Sequence, residues 1–196
     1  AANVVKAGTG TITLSGSNTY TGTTSVLNGT LLVGANAPSG SAGALGTATS
    51  TVVVGDSSGS NNAALLISGA FTVARNVSVT SGNSGTMSVG GSNTTGTAVF
   101  SGTLTLNKAA TLSGAAGGTV NFTGAITSNG NAVTIVATAT GDLSAANSSN
   151  NFATVTITSG HSVTLVDAND ITLGGATISG TGVLDVSTVD GSITVS

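Results

Sequence analysis

Polar and apolar residues alternate in short windows along the whole chain. Thr11-Ile12-Thr13-Leu14, Thr103-Leu104-Thr105-Leu106, Thr154-Val155-Thr156-Ile157-Thr158, Ser162-Val163-Thr164-Leu165 and Ser192-Ile193-Thr194-Val195 all follow period two. That period places aliphatic side chains on one face of a strand and hydroxyls on the other. Continuous apolar bursts at Val52-Val53-Val54, Leu65-Leu66-Ile67 and Val133-Thr134-Ile135-Val136 predict further strands. The β-branched Val, Ile and Thr that dominate these windows suit a pleated, half-buried surface. Gly, Asn and Ser separate the bursts, as turns require, at intervals of about 6 to 12 residues. Helical periodicity is nearly absent: the best helical stretch, Asp142 to Asn147, amounts to one turn at most.

The fold class is therefore all-β, and recurrence narrows it. Gly-Thr-aliphatic returns at Gly10-Thr11-Ile12, Gly29-Thr30-Leu31, Gly102-Thr103-Leu104 and Gly118-Thr119-Val120. A short unit repeated through a chain with modest core residues points to a parallel β-helix, a β-solenoid, rather than a sandwich or closed barrel. At about 20 residues per coil, residues 1–196 form a single solenoid segment of about nine or ten irregular coils. With coils about 4.8 Å apart, the rod is on the order of 45 Å long.

Composition sharpens the picture. Only 5% of the 196 residues are charged, with Lys+Arg 3, Asp+Glu 6 and no Cys. Ser and Thr make up about a third of the chain, far above ordinary usage. Stacked like charges repel at the coil spacing, so charge poverty agrees with aligned ladders. Three basic residues make no cationic footprint for nucleic acid. Hydrophobic residues at 39% with a formal net charge of -3 predict a folded chain, not a disordered one. The most apolar stretch, Ala132 to Ala139, is too short to span a membrane, and the scattered aromatics form no barrel girdle. No membrane insertion by this segment is expected. The opening Ala1-Ala2-Asn3, without Met, reads as a mature piece or an excised segment.

Residues 8 to 34 read GTGTITLSGSNTYTGTTSVLNGTLLVG. Gly8, Thr9, Gly10, Thr11, Leu14, Gly16, Asn18, Thr19, Tyr20, Thr21, Gly22, Thr24, Val26, Gly29, Thr30 and Leu31 resemble the passenger-associated strand repeat of autotransporters. Ile12 stands where that repeat usually has Leu. The stretch Ser41 to Val54 is similar to the Ala-Leu-Gly turn and strand that often follow it. Residues 147–196 resemble the strand repeats of filamentous-haemagglutinin-like surface proteins, through Asn151-Phe152, Val155, Val163, Leu165, Asp167 to Asp170, Leu173, Leu184 and Val186. The resemblance implies a right-handed β-helix, a bacterial cell-surface or extracellular location, and a role in adhesion or scaffolding with no enzyme in this part of the chain.

Candidate chemistry is sparse. His161 is the only histidine, and Ser159-Gly160-His161-Ser162 reads as an exposed turn between strands rather than part of a Ser-His-Asp triad. Asp167, Asn169 and Asp170 bunch oxygen ligands of the kind hard cations prefer, in neither an EF-hand nor a calcium-roll order; they are equally ordinary turn formers. Asp185 and Asp190 are a carboxylate pair that stacking could bring close, as glycoside hydrolysis requires. Gly114 to Gly118 lacks the Lys-Ser/Thr of a phosphate loop. Asn-x-Ser/Thr occurs at Asn28, Asn76, Asn93, Asn121 and Asn147, at a frequency this composition produces by chance. Thr-x-Thr pairs at Thr11/Thr13, Thr103/Thr105 and Thr154/Thr156 would suit an ice-binding face only if repeated once per coil.

No catalytic residue, metal site or cofactor is therefore assigned. The expected role is a non-catalytic structural or adhesive segment, with host-surface or glycan ligands, or further copies of itself joined end to end into filaments, as partners. The alternative is an ice- or polysaccharide-binding solenoid.

Overall fold

Short strands with one aliphatic face cannot bury that face alone, and stacking them buries a continuous core. A computed structural model describes residues 1–138 and 140–196 and shows this solution. Twenty-one strands form three parallel sheets, and no helix occurs among the described residues. The first sheet holds β1 (Val4–Lys6), β3 (Thr24–Val26), β5 (Val52–Val54), β8 (Val77–Val79), β11 (Leu104–Leu106) and β14 (Ile126–Thr127). The second runs the full length of the stack: β2 (Thr11–Leu14), β4 (Gly29–Val33), β6 (Ala63–Ile67), β9 (Met87–Gly91), β12 (Ala110–Ser113), β15 (Ala132–Val136), β17 (Thr154–Ser159), β19 (Ile171–Ala176) and β21 (Ile193–Val195). The third holds β7 (Thr72–Val73), β10 (Thr97–Phe100), β13 (Thr119–Phe122), β16 (Asp142–Ala145), β18 (Val163–Asp167) and β20 (Leu184–Thr188).

Each strand pairs with its equivalents one coil before and after, which is a β-solenoid. The nine-stranded sheet makes eight steps, so there are about eight turns instead of the expected nine or ten. The difference lies in coil length. Thr11 pairs with Thr30 after 19 residues, but Thr30 pairs with Ala64 only after 34. Later steps such as Thr111 to Thr134 take 23.

The period-two windows set the register. Ile12, Leu31, Leu65, Val89, Leu112, Ile135 and Ile157 form one inward column of the second sheet. Val52, Val77, Leu104 and Ile126 form another in the first sheet, and Ala98, Val120, Leu143, Val163 and Leu184 a third. Between the terminal coils these side chains are fully buried, each contributing about 2 kcal/mol. The rings of Phe100 and Phe122 stack on adjacent coils at 5.0 Å and 10°.

Two local expectations change. Asp142 to Asn147 is not a helical turn: Asp142–Ala145 is β16, paired on both sides, because Leu143 and Ala145 alternate into the core. The long second coil contains an insertion, residues 34–51, that folds back on the first coil. Asn18 and Gly43 exchange backbone hydrogen bonds of 3.0 and 3.3 Å, and Thr47 N donates to Tyr20 O at 2.9 Å. Ala44 and Leu45 become fully buried, and Ala37 bridges in parallel to Val73 of β7, so this loop closes the third side ahead of the third sheet's first strand.

Candidate functional site

The stack sorts polar side chains by place. Turn residues that sit one coil before a strand reach across to the next coil. Asn3 Oδ1 accepts from Thr23 N at 2.9 Å, Asn62 Oδ1 from Thr86 N at 2.8 Å and Asn76 Oδ1 from Thr103 N at 3.0 Å. Asn150, fully buried, accepts from Ile126 N and donates to Ala145 O and Val166 O. These contacts supply the backbone groups that the corners leave without ladder partners.

The three cations are used the same way. Lys6 Nζ donates to Gly8 O at 2.5 Å and Asn28 O at 2.8 Å, and Lys108 Nζ to Asn83 O and Gly85 O at 2.5 Å each. Arg75 is 1% exposed. Its Nη1 donates to Leu45 O at 3.0 Å, its Nε to Ser50 O at 2.9 Å, and its Nη2 to Ser50 O and Oγ. The guanidinium therefore clamps the far end of the 34–51 loop. Burial without a carboxylate lowers the Arg75 pKa. Nothing in the local sequence marks this arginine as buried.

Four of the six acids, Asp56, Asp142, Asp167 and Asp170, are likewise committed to hydrogen bonds. Asp56 accepts from the side-chain amides of Asn83 and Asn61, which hold its carboxyl below the usual range. Asp167 is fully buried; its Oδ1 accepts from Phe152 N at 2.8 Å, and burial outweighs its hydrogen bonds to push its pKa up. Asp170 Oδ1 accepts from Ser192 N at 2.8 Å, on the next coil. The Asp167, Asn169 and Asp170 bunch is thus divided: Asp167 turns inward to one coil, Asp170 bonds the following one, and Asn169 is exposed. No group of three or more His, Cys, Asp or Glu side chains suited to a metal ion is found among the described residues. Asp185 lies within β20 and Asp190 in the turn after it, on the same pass of the chain, so stacking does not superpose them.

His161 does lie in the turn between β17 and β18, half-buried rather than exposed. The structure brings Asp142, His161 and Ser162 together. Asp142 Oδ1 meets His161 Nδ1 at 2.9 Å and accepts from Ser162 N at 3.0 Å, while Ser162 Oγ is 3.3 Å from the same Nδ1. A proton relay needs the carboxylate on one ring nitrogen and the nucleophile on the other. Here both oxygens meet Nδ1, and Ser162 Oγ also accepts from Val183 N at 3.3 Å. The cluster stitches three coils at a corner. The chain separation of Asp142 and Ser162, 20 residues, is one coil.

Two surfaces remain. The nine strands of the second sheet contain no charged residue. An outward column runs Thr11, Thr30, Ala64, Ser88, Thr111, Thr134 and Thr156. Thr-x-Thr occurs on β2 and β17 but not on the strands between, so the lattice-like repetition of an ice face is missing. At the corner between the first and second sheets, a trough of about 380 Å³ is lined by Asn28, Ser60, Asn61, Asn62, Thr86 and Ser88, among others. Asn28 Nδ2 donates to Asn61 Oδ1 there at 3.3 Å.

The stacked parallel sheets define a β-solenoid repeat protein. Residues 4–33 match the family model of the passenger-associated-transport-repeat, a repeat of autotransporter passengers. The matched span is the run from the first residue of β1 to the last of β4, so the repeat corresponds to two successive passes through the first and second sheets. No curated protein and no solved structure matches the chain.

Proposed function

We propose that this chain is a non-catalytic structural and adhesive segment of an autotransporter passenger displayed on a bacterial surface. The observation that carries the reading is that the passenger repeat forms the opening coils of one uninterrupted stack, whose longest sheet carries no charged residue. Such a stack holds a binding surface away from the cell by rigid, charge-poor coils. Deleting residues 1–196 from the protein that carries them should shorten surface projections and reduce attachment. Unchanged projections and attachment would overturn the reading.

A polysaccharide-binding module is the second reading, favoured by the amide- and hydroxyl-lined trough at Asn28, Asn61 and Asn62. A glycan array with the purified chain tests it, with Asn61→Ala as the control that abolishes any signal arising there. The ice-binding variant is read out by thermal hysteresis; the interrupted Thr-x-Thr pattern leads us to expect none.

A further inference from the structure

We infer that the turn at Asn129-Gly130 is a self-modification site: the Asn129 side chain cyclises onto Gly130 N and hydrolyses to a mixture of aspartate and isoaspartate.

The chain contains two Asn-Gly dipeptides, Asn28-Gly29 and Asn129-Gly130. Glycine places no side chain beside the attacking nitrogen, which makes this pair the most prone to cyclise. The fold treats the two pairs oppositely. Gly29 opens β4 and its N donates to Asn62 O at 2.8 Å, while Asn28 is half-buried. The Asn28 carbonyl also accepts from Lys6 Nζ, and its Nδ2 donates to Asn61 Oδ1. Attack by Gly29 N therefore requires the strand and the corner to open first.

Asn129 and Gly130 stand exposed in the turn between β14 and β15. Asn131 N donates to Ser128 O at 2.9 Å, and φ is +52° at Asn129 and +79° at Gly130. A closed turn with both central residues left-handed is type I′, for which Asn-Gly is the favoured pair. Asn131 Nδ2 fixes it to the stack, donating to Leu106 O at 3.0 Å and Ser128 O at 2.9 Å. Gly130 N lies outside the ladders and donates to no group among the described residues. Its proton is open to hydroxide.

Hydroxide takes the proton from Gly130 N, and the nitrogen attacks Asn129 Cγ. The Cγ–Nδ2 bond breaks and ammonia leaves, closing a succinimide ring. Water opens that ring at the side-chain carbonyl to give aspartate, or at the main-chain carbonyl to give isoaspartate. One water is consumed and one ammonia released, with no oxidation or reduction. The product changes a contact between coils. Asn129 Nδ2 donates to Asn107 Oδ1 at 3.1 Å, on the preceding coil. Asn107 has no donor to offer in exchange, because its Nδ2 serves Ser78 Oγ and Val79 O. A carboxylate at position 129 therefore faces a second acceptor, and the bond between coils is lost.

The test is a time course of the purified chain in mildly alkaline buffer, folded and in urea. Peptide mapping by mass spectrometry reads the amide-to-acid exchange at each site, and isoaspartyl methyltransferase reads the isomer. In the folded chain Asn129 should convert at least about tenfold faster than Asn28, because Asn28 reacts only after its hydrogen-bonded strand opens. In urea the two sites should convert at similar rates. Asn129→Gly keeps a residue suited to the left-handed turn; it should retain the far-UV circular dichroism of wild type and lose most of the ammonia that the folded chain releases. Equal conversion of the two sites in the folded chain, an Asn129 that converts only in urea, aspartate without isoaspartate at Asn129, or undiminished ammonia release from Asn129→Gly would overturn the proposal.

Discussion

Single side chains in this protein act mostly on backbone. Arg75 is the clearest instance, because its fork satisfies Leu45 O and Ser50 O on a loop that contains no strand. Arg75→Met keeps the aliphatic stem and leaves those carbonyls without their donor. It should lower stability by about 3 kcal/mol, read by urea unfolding, and expose Ser39 to Ala42 to limited proteolysis. Asp167 makes a pH prediction. Burial raises its folded pKa above the unfolded value, so its contribution to stability is largest when protonated and is lost as pH rises through the carboxylate range. Asp167→Asn removes that titration while retaining an oxygen for Phe152 N. The melting temperature of the variant relative to wild type should therefore rise between pH 3 and pH 7. A constant difference would show that Asp167 is not desolvated. Neither role is legible in the sequence: Asp167 stands in a bunch of turn-forming residues, and an isolated Arg in a turn looks exposed. Burial of both depends on chain that is distant in sequence.

At the scale of elements, period two was enough to locate strands. Every alternating window named from the sequence lies in or overlaps a strand, from β2 to β21. The corners were less legible, because coil-to-coil contact decides which glycines are obligatory. A Cβ on Gly124 would lie 2.0 Å from Gly102 O, and one on Gly102 would lie 2.3 Å from Arg75 O. This column of glycines lets successive corners approach at the strand spacing. Gly124→Ala should cost about 2 kcal/mol or more. Gly10→Ala, whose Cβ would meet no atom within 4 Å, should change stability by less than about 0.5 kcal/mol. Thermal denaturation of the two variants side by side checks the contrast. The Asp142, His161 and Ser162 contact is likewise a corner property, visible in sequence only once the coil length is known.

For the whole molecule, stability is a sum over neighbouring coils. Interior strands such as β6, β9 and β12 bury every inward residue, whereas β21 is exposed throughout. Hydrogen exchange should accordingly show the slowest amides in β6 to β15 and progressive loss of protection through β20 and β21. Uniform protection along the stack would mean that the rod opens as one cooperative unit.

By itself the sequence determined the class of fold, the strand positions, the scarcity of charge in the ladders and the passenger repeat at the start of the chain. These follow from local alternation and from stacking rules that any coil must obey. The tertiary structure alone decided the number of turns, the fold-back of residues 34–51, the burial of Arg75 and Asp167, and which acids face which coil. Each depends on how many residues separate one coil from the next. That interval varies here from 18 residues, Thr154 to Thr172, to 34, Thr30 to Ala64. Corner insertions cost little in a stack whose strands are already paired, so the interval leaves no regular mark in the sequence.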